Sequence, residues 1–310
     1  MADNRFKNTG MLVRFILKRD RIRIPVWLIS ILLLHVLTII SLDEMFVSEV
    51  ERQALVQTML NPAMTAMLGP AYGIDDYHTG AMFAHEMLLF SAVIVAIMSI
   101  LLVSRHTRQD EEEGRIELIR SLPTGRLANS SATIIVSVIT SILLAITNGI
   151  GLSLLGLDHV DLEGSLLFGV VLGTVALFFS GVTAVFAQLS SSSRGATGFS
   201  FAILITAYIV RAIGDIGNET LSLISPLGLL LRSEVYVNNY WWPVIVLIGV
   251  SILLLILASY LNSIRDLGAG FFQAKAGRKH ATPFLKGPLG LGFRIQRGAI
   301  IAWAILRILF

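Results

Sequence analysis

Six apolar runs, each near the length of a bilayer crossing, decide what this chain can fold into. They fall at Ile24–Leu42, Met82–Val103, Ala128–Leu157, Ser165–Leu189, Gly195–Ile213 and Trp241–Leu261. A helix needs about 20 mostly apolar residues to cross roughly 30 Å of hydrocarbon. In lipid a lone segment must satisfy its own backbone polar groups, and only a helix does so. The expected fold is all-α: a polytopic membrane protein with six transmembrane helices. Composition agrees, with 55% hydrophobic and 15% charged residues, against about 25% charged in a soluble domain. The absence of cysteine rules out disulfides, thiolate metal sites and a cysteine nucleophile. The first apolar run is too long for a signal-peptide core and lacks an A-x-A-like end.

Lys and Arg then set the orientation. With the N-terminus inside, 21 of the 24 basic residues fall on inner segments and three (Arg52, Arg211, Arg232) on outer ones. That bias is a strong positive-inside signal. Both termini are expected in the cytoplasm, and the chain in the cell (inner) membrane of a prokaryote. Residues 1–24 carry seven of these charges, with Met11, Leu12, Phe15 and Ile16 on one helical stripe. They predict an amphipathic helix at the lipid headgroups. The stretch Asp43–Gly80, punctuated by Pro62 and Pro70, predicts one or two short interfacial helices on the outer face. The basic residues follow the topology rule and need no polyanion beyond lipid headgroups, so nucleic-acid binding has no support.

Between the second and third runs lies the densest charge cluster, Arg105–Leu127, RHTRQDEEEGRIELIRSLPTGRL. Four acids, Asp110 to Glu113, precede Arg120 and Arg126, the order favoured by a helix dipole. Ile116, Ile119 and Leu122 follow at a spacing of three, Leu118 widens the ridge, and Pro123 stops the helix. The expectation is one short amphipathic helix in a cytoplasmic loop. It either fills a groove on a partner protein or lies on the membrane surface.

This stretch resembles the cytoplasmic loop of ABC-type-2 exporter permeases, in which an E-x-G-x-x-E-L-L-x-x-x-P-like run lies between spans two and three. Glu112, Gly114, Glu117, Leu118 and Pro123 occupy its recurring positions. The nearer likeness is to permeases of polyketide-antibiotic (tetronasin-like) export, where NPAMTAMLGP (61–70), SPLGLL (225–230), RDLGAG (265–270) and PLGLGFRIQRGAIIAW (288–303) also have counterparts. The resemblance covers essentially the whole chain. It implies the transmembrane permease subunit of an ATP-driven exporter of amphipathic drugs or polyketide-type antibiotics. It also implies an ABC ATPase partner that docks on Glu112, Gly114, Arg115, Glu117, Leu118, Arg120 and Pro123. No G-x-x-x-x-G-K-[ST] phosphate loop occurs in the sequence, so ATP is expected on the partner and no cofactor on this chain. Members have two six-span halves, and this chain resembles the first. Residues 290–303 loosely echo 10–27. The expected division is a permease half over 1–270, then a linker and the incomplete start of a second half, with a seventh helix, over 271–310. A second copy or a separate second half would complete the transporter.

The alternatives are an ABC permease for lipid or a polysaccharide precursor, and an intramembrane enzyme or scaffold protein. Against an enzyme, His85-Glu86 is followed by Leu89 where an H-E-x-x-H metal site needs its second histidine. No metal site is expected. His35, Glu86 and Asn148 are polar residues within or near the spans, and such residues face protein, water or substrate rather than lipid.

Overall fold

The computed structural model of the chain describes residues 4–266, 270–271, 282, 285 and 287–309. They divide into two units, residues 1–273 and 274–310. Among the described residues the regular structure is helical. Six helices are long and apolar enough to cross a membrane, and the protein is a multi-pass membrane protein.

The first unit starts with α1 (Thr9–Arg19), which turns at Asp20 into the first span, α2 (Arg23–Met45). Pro25 sits in the first turn of α2, where a missing N–H leaves no intrahelical bond unmade. Two short helices follow, α3 (Glu49–Met59) and α4 (Pro62–Leu68). Ser48 and Glu51 form a reciprocal capping box on α3, and Asn61 caps α4 with Pro62 at its first position. The second span, α5 (Thr79–Ser104), runs on through a π-helical turn (Arg105–Gln109) and one short turn, α6 (Asp110–Glu112). After Gly114 comes α7 (Arg115–Arg120). Then α8 (Ala128–Ser153), α9 (Leu162–Leu189) and α10 (Ser193–Gly217) cross in turn. The short α11 (Glu219–Ile224) and α12 (Pro226–Leu231) lead to the last span, α13 (Trp242–Ile264). The observed spans fall within four residues of the expected ones, the largest differences being α8, which ends at Ser153 rather than Leu157, and α10, which ends at Gly217 rather than Ile213.

The unit is built around α9. Of its apolar stretch 83% is buried, against 28% or less in α2, α10 and α13. It packs against α5, α8, α10 and α13. Small residues make this possible, because helices in lipid associate where their backbones approach closely. A Cβ on Gly169 would lie 2.2 Å from the Ala145 carbonyl oxygen of α8, and one on Gly181 would lie 2.9 Å from Leu254 of α13.

One end of the unit carries the basic segments and is called the basic end below. There Lys7 and Arg5 carbonyls accept from the Gly125 and Leu127 N–H groups, and Asn8 donates to the Pro123 carbonyl. The stripe expected along α1 is split: Leu12 and Ile16 are buried against the protein, whereas Met11 and Phe15 point outward. At the other end Arg211, fully buried, donates to the Thr65 and Ala66 carbonyls near the C-terminus of α4 and pairs with Asp215 at 3.2 Å. The Ala66 carbonyl is among the last of α4, where a cation is favourable, and the Thr65 carbonyl also accepts from the Gly69 N–H.

In the second unit, α14 (Pro288–Leu309) is one continuous helix of 22 residues. Most of the expected linker, and residues 267–269 of RDLGAG, lie outside the described residues.

Candidate functional site: an ion-pair hub at the basic end

The single helix expected from Asp110 to Leu122 is two pieces. Gly114 adopts φ +73°, a left-handed conformation open to glycine and strained for other residues. The acids before it therefore do not sit at the start of a helix. They end the long α5–α6 rod, where the dipole disfavours negative charge. Ion pairs offset this. Asp110 accepts two hydrogen bonds from the Arg19 guanidinium, at 2.7 and 2.9 Å, and one from Arg115 at 2.5 Å. The bidentate geometry is the strong form of this contact. It also leaves Arg19 raised above its ordinary pKa, chiefly through the hydrogen bond to Asp110.

The π-helical turn shapes what comes before. One extra residue in the turn directs both His106 and Arg108 inward, at 0% and 1% exposure. His106 bonds through Nε2 to Asp20, in the turn between α1 and α2. Arg108 donates to Glu111 at 2.7 Å, and Glu111 also accepts from Arg265, just past α13, at 2.8 Å. Glu112 accepts from the Ser193 N–H at 2.8 Å and hydroxyl at 2.5 Å, at the N-terminus of α10. Glu113 accepts from Gln109 at 2.7 Å and from Arg115. Helical spacing turns Asp110, Glu111 and Glu112 to different partners, while Asp110 and Glu113, three apart on one face, share Arg115. Together they join the end of α5 to α1, α7, α10 and the chain after α13.

Beyond Gly114, the expected ridge of Ile116, Ile119 and Leu122 is divided. Ile116 is buried and Ile119 half-buried against the protein, whereas Leu122 turns outward at 51% exposure. Leu118, at 72%, is more exposed still, and Glu117 lies beside it. The helix ends at Arg120, before Pro123, whose carbonyl is held by Asn8. The Arg120 side chain lies outside the described residues.

Of the expected coupling residues, Glu112 and Arg115 are therefore engaged within the protein, and Glu117 and Leu118 are presented outward. Arg19, Asp20, His106, Ser193 and Arg265 complete the hub and were not singled out from the sequence. Their one local signal was Asp20, an acid set between Arg19 and Arg21.

The polar residues within the spans form no second cluster with this one. His35 and Asn148, both fully buried, bond to each other at 2.7 Å, and His35 Nε2 bonds to the Ser91 hydroxyl at 2.6 Å. Asn148 Nδ2 donates to the Leu144 carbonyl. This assigns the amide oxygen to the His35 contact, so Nδ1–H donates and Nε2 accepts. Phe83 and Phe168 close over the ring edge-on. Glu86 is half-buried in the far end of α5, apart from this trio. Its neighbour His85 is held by the Tyr77 hydroxyl and the Gly69 carbonyl. Among the described residues, no group of three or more His, Cys, Asp or Glu side chains is placed to hold a metal ion.

Two comparisons bear on this arrangement. Residues 13–261 match the family described as "Multidrug efflux system permease Rv1217c, C-terminal domain". The multidrug efflux system permease protein Rv1217c of Mycobacterium tuberculosis (strain ATCC 25618 / H37Rv) is 38% identical over 303 residues, which cover 97% of this chain and 54% of that protein. The chain thus spans about half the length of the curated relative it matches, and the matching family is defined on a C-terminal domain, whereas the sequence resemblance pointed to a first half. Six apolar crossings, a charged hub where their basic ends meet and a match over residues 13–261 lead to one conclusion: this chain belongs to the family of the Rv1217c multidrug efflux permease C-terminal domain.

Proposed function

We propose that the chain is a membrane-spanning part of an ATP-driven ABC exporter of amphipathic drugs or polyketide-type antibiotics, and that α7 is its contact with a separate ATPase subunit. The observation that carries this is the exposure of Leu118 and Leu122 beside Glu117 on a segment rooted in the ion-pair hub. Apolar side chains clustered at the polar end of a membrane protein suit a protein partner. In this reading Glu117 and Leu118, with Arg120, form the contact, Gly114 is the joint, and Pro123 ends the helix. Arg115 and Glu112 pass movement on, to α1 through Asp110 and to α10 through Ser193. ATP is bound by the partner, and this chain binds no cofactor and carries out no catalysis. The basic end is cytoplasmic in the inner membrane of a prokaryote. The relative's length, nearly twice that of this chain, fits a pump of two such halves.

The reading is tested by co-expressing the chain with the ABC ATPase encoded beside its gene. Affinity capture of the chain should bring down the ATPase, and Glu117→Lys with Leu118→Asp should abolish capture while the thermal midpoint in detergent stays unchanged. Cells with the intact pair should accumulate less amphipathic drug than cells with the variant. Undiminished capture by the variant would rule out α7 as the contact.

A further inference from the structure

A cavity of about 310 Å³ opens at the basic end between the start of α2 and the end of α5, with Thr140 of α8 also lining it. Its inner wall is apolar, formed by Ile24, Trp27, Met98 and Leu101. Its mouth carries Arg23 and Arg105, with the buried Asp20 beside them. The apolar part lies along two spans and the charged part just beyond them, the same order as the parts of a phospholipid.

The charges at the mouth are incompletely matched. Arg23 and Arg105 approach Asp20 at 3.9 and 3.5 Å, too far for good hydrogen bonds. Asp20 Oδ2 is taken by His106, but its buried Oδ1 has no hydrogen-bond donor. An unpartnered buried carboxylate oxygen is costly, and the cost is relieved by a donor entering the cavity. Two guanidinium groups call for an anion with several oxygens. One ligand class meets both needs beside an apolar slot: a phospholipid whose phosphate is followed by a primary ammonium. Basic pockets between spans at the cytoplasmic side are a known setting for lipid headgroups.

We propose that this cavity is a binding site for phosphatidylethanolamine. The phosphate lies between Arg23 and Arg105, the ammonium donates to Asp20 Oδ1, and an acyl chain runs along Trp27 and Leu101. The site does not depend on the exported cargo or on the ATPase. Its occupation would brace the α1–α2 turn, and through the Asp20–His106 bond the root of the ion-pair hub.

The full chain is purified, delipidated and titrated in detergent with phosphatidylethanolamine, phosphatidylcholine or phosphatidylglycerol of matched chains. Phosphatidylethanolamine should bind about tenfold more tightly than phosphatidylcholine, whose quaternary nitrogen has no proton to donate, the worth of one charge-assisted hydrogen bond. Phosphatidylglycerol, without an ammonium, should also bind more weakly. Phosphatidylethanolamine with brominated chains should quench tryptophan fluorescence, and Trp27→Phe should remove the saturable part of that quenching, the exposed Trp241, Trp242 and Trp303 accounting for the rest. Arg23→Gln, at a largely exposed position, should weaken binding of all three lipids, while Asp20→Asn should erase the preference for phosphatidylethanolamine alone. Equal binding of the ethanolamine and choline lipids by the wild type, or saturable quenching undiminished in Trp27→Phe, would overturn the proposal.

Discussion

At the scale of single residues, one buried polar set ties spans to one another. His35 joins three spans: its own α2, α5 through Ser91 and α8 through Asn148. In hydrocarbon, where water supplies no substitute partner, an opened member of such a set stays unsatisfied. Asn148→Ala should therefore destabilise the protein by about 1–2 kcal/mol, since interhelical hydrogen bonds in membranes are worth about 0.6–2 kcal/mol each. His35→Leu with Asn148→Leu should cost less than the two single changes summed, because replacing both partners leaves neither unpaired. Thermal unfolding in detergent measures both. If the double variant folds normally yet no longer lowers drug accumulation, the pair contacts cargo rather than serving packing alone. The sequence marked His35 and Asn148 as polar intrusions, but nothing in their separation of more than 100 positions showed that they meet.

At the scale of elements, glycine decides two outcomes in opposite ways. On α9 it removes bulk, so that α8 can approach until a Cβ on Gly169 would overlap the Ala145 carbonyl. Gly169→Ala must push the two helices apart and should cost about 1–3 kcal/mol or more, the usual range for overpacking. Gly198→Ala on α10, where nothing lies within 4 Å, should be neutral or slightly stabilising. A comparison of thermal midpoints checks the pair, and equal effects would contradict the packing described for α9. At Gly114 there is open space around the missing Cβ, and the positive φ is what matters. Charge order and apolar spacing around it fit one helix, and local pattern alone does not reveal that the chain breaks there. The acids' partners on α1, α10 and beyond α13 hold the first piece, and the chain bends at the residue that bends most cheaply.

At the scale of the whole molecule, the basic and opposite ends differ in what holds them. The basic end is tied by ion pairs centred on Asp110 and Glu111, and the opposite end by Arg211 against the end of α4. The assignment of the basic end to the cytoplasm is directly measurable, because the chain has no cysteine and any introduced one is unique. Leu118→Cys should react with a membrane-impermeant maleimide only after cells are permeabilised. Val50→Cys, at an 80% exposed position on α3, should react in intact cells. The reverse pattern would invert the topology and place α7 out of reach of any cytoplasmic ATPase.

The sequence by itself determined the number of spans, their approximate limits and the concentration of basic residues on alternate connections. Those properties follow from local quantities: apolar length against bilayer thickness, and charge against the membrane interface. It also marked Arg105–Leu127 as the segment of interest. Only the tertiary structure decided which helix lies at the centre, which acids are spent inside the protein, and which side chains of α7 stay exposed. Those outcomes depend on contacts between residues far apart in the chain, such as Arg19 with Asp110 and Glu111 with Arg265, 91 and 154 positions apart. Apolar periodicity carries no record of them, because a buried charge is placed by its partner and not by its neighbours in sequence.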